Sequence, residues 1–141
     1  KLSIEAKPDF ITALLTRADV YIKESKLDLA TVDVQSAVSY YPYDSNSYYS
    51  AGLLYLQNKL YTDSISYFEN ALKINSKFAN ARYNLALAYK GAGDISKAKE
   101  ILNALLLENP GNKVISAEIE NLNIPVQAPE VPQEINTKAK N

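Results

Sequence analysis

Shifted by 34 residues, this sequence falls into register with itself, and no gap is needed. Tyr21, Tyr55 and Tyr89 align, as do Ala30, Ser64 and Ala98, and then Val34, Phe68 and Leu102. Ala37, Ala71 and Leu105 follow, then Val38, Leu72 and Leu106, and finally Pro42, Ser76 and Pro110. A fixed period of this size means stacked copies of one supersecondary unit, because a single copy cannot bury its own apolar face. Three units result: 11–44, 45–78 and 79–112.

Inside each unit the apolar period is helical. Ala81, Leu85, Ala88 and Tyr89 recur at spacings of three and four, and Ile95, Ala98, Ile101, Leu102, Leu105 and Leu106 form a second stripe. Gly91-Ala92-Gly93-Asp94 reads as the turn between them, with glycine for positive φ past a helix end and Asp94 as the next N-cap. Helices are therefore expected at about 10–24, 27–40, 45–57, 61–74, 79–91 and 95–108. A seventh, over 113–123, carries Val114, Ile115, Ala117, Ile119 and Leu122 and is expected to cap the stack. Glu118, Glu120, Asn121 and Asn123 are expected on its polar outer side. Residues 124–141, with Pro125, Pro129 and Pro132, read as an extended tail or linker. The register also runs backwards, since Pro8 precedes Pro42 by 34 residues and Ile4 precedes Val38 by the same interval. Residues 1–10 thus read as the remnant of an upstream repeat. With Lys1 first and no Met, the chain is expected to be a piece of a longer protein.

Composition removes several function classes. The net charge of −1 gives no basic excess to hold a phosphate backbone, so no nucleic-acid partner is expected. The absence of His removes imidazole ligands and the usual general base near neutral pH, and the absence of Cys removes disulfides and thiolate metal sites. No catalytic, metal or cofactor site is expected, because Asp28, Asp33, Asp63, Glu69, Glu100 and Glu108 are scattered over helix surfaces. Gly91-Ala92-Gly93 lacks the third glycine and the preceding strand of a dinucleotide loop. No apolar run approaches the roughly 18–20 residues of a membrane span, so no direct membrane insertion is expected. Tyr40, Tyr41, Tyr43, Tyr48 and Tyr49 cluster at the first unit junction, where exposed members favour partner contacts.

The third unit carries Asn84-Leu85, Tyr89, Gly93-Asp94, Ala98 and Pro110, and the second carries Gly52, Tyr55, Tyr61, Phe68 and Ala71-Leu72. In this order and spacing the chain resembles the tetratricopeptide-repeat family over residues 1–123. It departs from the pattern at Arg17, Ser25-Lys26, Ser64 and Ser76. The resemblance implies an all-α, right-handed α-solenoid of three helix-turn-helix units plus a C-terminal capping helix. It also implies a concave groove lined by the first helices of successive units, holding a protein or peptide partner. By position the groove presents Thr12, Leu15, Thr16, Asp19, Ile22 and Lys23, then Asn46, Tyr49, Ser50, Leu53, Leu56 and Gln57, then Asn80, Tyr83, Asn84, Leu87 and Lys90. The partner-binding positions are expected to be Tyr49, Leu53, Leu56, Asn80, Tyr83, Asn84 and Leu87. Their aromatic and aliphatic groups suit apolar side chains, and the amides suit a peptide backbone.

One branch of the family grips acidic chaperone tails with Lys, Asn and Arg. The matching positions here are Leu15, Asp19, Ser50, Asn80 and Asn84, which disfavours such a ligand. Two further expectations belong to other classes. The pattern also resembles C-terminal modules of prokaryotic multi-pass proteins, O-antigen-ligase-like ones included, which implies an assembly or spacer domain of a larger protein. The first unit also lacks an upstream neighbour on its outer face, so self-association there is expected.

Overall fold

The computed structural model describes residues 8–123, so residues 1–7 of the expected remnant at 1–10 and the Pro-containing tail at 124–141 lie outside the described residues, while residues 8–10 belong to the first helix. Among the described residues there are seven helices and no strand: α1 (Pro8–Lys23), α2 (Leu27–Tyr40), α3 (Ser45–Gln57), α4 (Tyr61–Ile74), α5 (Ala79–Gly91), α6 (Ile95–Glu108) and α7 (Lys113–Asn123). They form an all-α helical repeat solenoid. α1–α2, α3–α4 and α5–α6 are hairpins, α4 packs on α5, and α7 packs on α6. The bounds agree with the sequence expectation within two residues. α1 is described from Pro8, two residues ahead of the expected start at residue 10.

Each hairpin turns through one left-handed residue: Ser25 at φ 60°, Lys59 at φ 60° and Gly93 at φ 89°. The following amide reaches back across the helix end, from Lys26 to the Tyr21 carbonyl at 2.8 Å, Leu60 to Tyr55 at 2.9 Å, and Asp94 to Tyr89 at 2.9 Å. This Schellman closure recurs every 34 residues, but only the third copy has the glycine that enters the left-handed region without steric cost. Of the residues at which α2, α4 and α6 begin, only Asp94 caps with its side chain, accepting from the Lys97 amide at 3.1 Å. Transplanting that turn with Ser25→Gly and Lys26→Asp is expected to raise stability by about 1–2 kcal/mol. An unchanged urea midpoint would show that the first turn carries no such strain.

Gly91 is a correction to the expected turn. It closes α5, and a Cβ there would run into the Tyr61 ring on α4. Its role is close approach between hairpins, and positive φ belongs to Gly93 alone among the glycines.

Three apolar clusters follow one another along the stack. The first centres on Ala18, Val34, Ala51 and Tyr55, the second on Phe68, Ala71, Ala81 and Leu85, and the third on Ala86, Leu102, Leu105 and Ile115. At one place in the repeat register each hairpin combines a small residue with a larger one of the same core: Ala18 with Val34, Gly52 directly against Phe68, and Ala86 with Leu102. In the second hairpin Ser64, fully buried, donates its hydroxyl to the Gly52 carbonyl at 3.1 Å, so serine serves where alanine is usual. In the first hairpin Arg17 and Asp33 form a fork, with Nε and Nη2 each 2.7 Å from a carboxylate oxygen. Leu85 and Ile101 hold the matching places in the third.

Candidate functional site

α1, α3 and α5 stand side by side, which brings the expected groove residues onto adjoining helices. Tyr49 of α3 is half-buried. Its ring lies 4.7 Å from Phe78 and 5.8 Å from Phe68, and its phenol oxygen accepts from the Asn84 side-chain amide at 3.0 Å. The same Asn84 nitrogen donates to the Asn80 carbonyl at 3.0 Å. The donor side of Asn84 thus ties α3 to α5, leaving its carbonyl oxygen as the group that differs from the expected two-way amide. Leu53 and Leu56 are half-buried against the second cluster. Asn80 is exposed and Leu87 half-buried.

Tyr83 of α5 is half-buried. It packs into the third cluster with Ile119 and Leu122 of α7. Burial, with the Glu118 carboxylate adding to it, pushes its phenol up. Glu118 itself corrects a sequence expectation. Its side chain is only 15% exposed and accepts from Lys90 Nζ of α5 at 2.6 Å, so it faces inward. The 34-residue register carried the signal, since Glu118 follows Asn84 by one period and Ser50 by two.

The open part of this face lies between α1 and α3. A hollow of about 370 Å³ is lined by Thr12, Leu15, Thr16, Asp19, Ser50, Leu53, Leu54 and Gln57. Asp19 at its edge accepts from Lys23, and also from Asn58 at 2.9 Å. Those bonds hold its carboxyl below the ordinary range. Asn58, which sequence reasoning missed, links the first two hairpins and also donates to the Leu54 carbonyl at 2.8 Å. The tyrosine cluster divides: Tyr48 and Tyr49 pack inward, while Tyr40, Tyr41 and Tyr43 are exposed, Tyr43 at 89%.

A family model described as a tetratricopeptide repeat matches residues 55–117, from the last turn of α3 into the first half of α7. Residues 55–117 thus belong to the tetratricopeptide-repeat family. Human protein O-mannosyl-transferase TMTC3 is 29% identical over 111 residues, which is 77% of this chain but only 12% of that protein. A tetratricopeptide repeat protein from Parabacteroides merdae is 28% identical with a TM-score of 0.60, over 79% of this chain and 44% of that one. The first tetratricopeptide domain of Spaghetti (RPAP3), solved bound to the HSP90 peptide SRMEEVD, superposes with a TM-score of 0.63. It is 18% identical, over 84% of this chain and 94% of that one, and the likeness is one of fold. Among the described residues, no helix is long and apolar enough to cross a membrane.

Proposed function

We propose that this chain is a non-catalytic interaction module that holds a peptide or helix of a protein partner along α1, α3 and α5. Contacts would come from Tyr49, Leu53, Leu56, Asn80, Tyr83, Asn84 and Leu87. The observation that carries the reading is the hollow between α1 and α3, which adjoins this set through Leu53. Its hydroxyls, amide and leucines suit a neutral or amphipathic segment. Leu15, Asp19 and Ser50 put no cation where an acidic tail would sit, so the ligand differs in charge from the peptide held by Spaghetti.

Tyr49 and Tyr83 are also packing residues, so their alanine variants lose stability together with contact area. Ser50→Arg and Leu87→Arg fill the face instead, from half-buried positions outside the apolar clusters. Each is expected to weaken partner capture at least about tenfold with the helical circular dichroism unchanged. Capture that survives both variants would contradict the reading.

A second reading is favoured by the TMTC3 similarity, in which the matched region is a small share of a larger enzyme. Here the module would be an assembly or spacer domain of such a protein or of a multi-pass membrane protein. Upstream apolar spans of about 20 residues in the full-length gene would support it. A full-length product without them, and without a second domain, would exclude it.

A further inference from the structure

Three helices of the solenoid bury one face against the hairpin before them: Ser47, Ala51 and Leu54 on α3, Ala81, Leu85 and Ala88 on α5, and Ile115 on α7. The same register places Ala13, Arg17 and Val20 on α1, where all three are exposed. A hollow of about 540 Å³ runs along this face, lined by Asp9, Thr12, Ala13, Thr16, Arg17 and Val20.

The charges on it are spaced symmetrically. Asp9 and Arg17 lie four residues to either side of Ala13, so all three share one stripe of the helix. We infer that this face pairs with the same face of a second copy, α1 against α1 in antiparallel orientation, about a two-fold axis through Ala13. Asp9 of each copy then meets Arg17 of the other, the self-complementarity that an isologous contact requires. Ala13 with Thr12 and Thr16 keeps the centre small enough for close approach, and the antiparallel helix dipoles oppose favourably. Asp33 occupies the Nε and Nη2 edge of Arg17, and the Nη1 donors lie outside that fork. The guanidinium is thereby pre-oriented on a face whose side chain is 58% exposed. The pairing does not depend on the groove reading.

One helix against one helix lies at the low end of interface sizes, so the association is weak and concentration-dependent. Sedimentation equilibrium from about 10 µM to about 1 mM is expected to show a monomer–dimer equilibrium that weakens as salt is added. Asp9→Lys, an exposed change, sets two like-charge pairs in place of two ion pairs and is expected to raise the dissociation constant at least about tenfold. Ala13→Arg is expected to abolish the dimer. The chain has no Cys, so Ala13→Cys supplies a single thiol on the proposed axis and is expected to give a disulfide-linked dimer on oxidation, whereas Thr62→Cys on α4 is not. A monomer throughout, as when an upstream helix or solvent covers the face, overturns the inference. So does a dimer indifferent to Asp9→Lys and Ala13→Arg.

Discussion

Gly52→Ala is expected to destabilise the fold by about 2–3 kcal/mol, read as a lower urea midpoint. A Cβ at residue 52 would sit 2.6 Å from the Phe68 ring, and Phe68 is fully buried with no room to swing aside. Alanine is nevertheless the residue at this place in the other two hairpins, opposite the smaller Val34 and Leu102. Phe68→Leu alone is expected to cost about 1–2 kcal/mol through the cavity it leaves. Combined with Gly52→Ala it recreates the Ala86/Leu102 pair of the third hairpin. The double variant is expected to be more stable than Gly52→Ala alone, so the two changes are strongly non-additive. Additive losses would mean that the crossing is not limited by this contact.

The second large effect concerns the Arg17–Asp33 fork. Asp33 is 4% exposed, and Arg17→Leu leaves its carboxylate without its donors. The expected result is a clearly lower urea midpoint, though a smaller loss than for a fully buried pair, because water still reaches the 58%-exposed arginine side. Arg17→Leu with Asp33→Ile installs the third hairpin's apolar pair and is expected to return to within about 1 kcal/mol of the parent. The pH dependence has a definite sign. The hydrogen bond from Arg17 holds the Asp33 carboxyl below its ordinary value. Its contribution is therefore present above the unfolded value near about 4 and is lost as pH falls through the lower folded value. Urea midpoints of the parent and Arg17→Leu should therefore converge as pH falls, while the parent drops relative to the double variant. A constant difference from pH ~2 to ~6 would place the linkage elsewhere.

These two sites show why the fold was legible and the details were not. The helices follow from apolar spacing and from Gly93 and Asp94, features local to the chain, and they repeat three times. The departures at Arg17 and Ser64 look like wear on the pattern in sequence, and Gly52, which fits the pattern, gives no sign of what it faces. Each has a partner 12 to 16 residues away in the same hairpin: Asp33 for Arg17, the Gly52 carbonyl for Ser64, Phe68 for Gly52. Only packing reveals them. At the candidate site the register correctly gathered Tyr49, Leu53, Leu56 and Asn84 on adjoining helices. It did not reveal that Tyr49 and Asn84 are bonded to each other, or that α7 takes Tyr83 into its own contact. Glu118 was misplaced because α7 was read as an amphipathic helix in isolation, although its register with Asn84 pointed inward.

The most direct measurement for the interaction-module reading is site-specific photo-cross-linking in cells that express the chain. A photoreactive phenylalanine analogue would be placed at Ser50 or Leu87 on the first-helix face, and at Thr62 or Glu100, exposed on α4 and α6. Adducts to one protein partner from Ser50 and Leu87, absent from Thr62 and Glu100, are the expected result. Adducts from Thr62 and Glu100 with none from Ser50 and Leu87 would put the partner on the other face and contradict it.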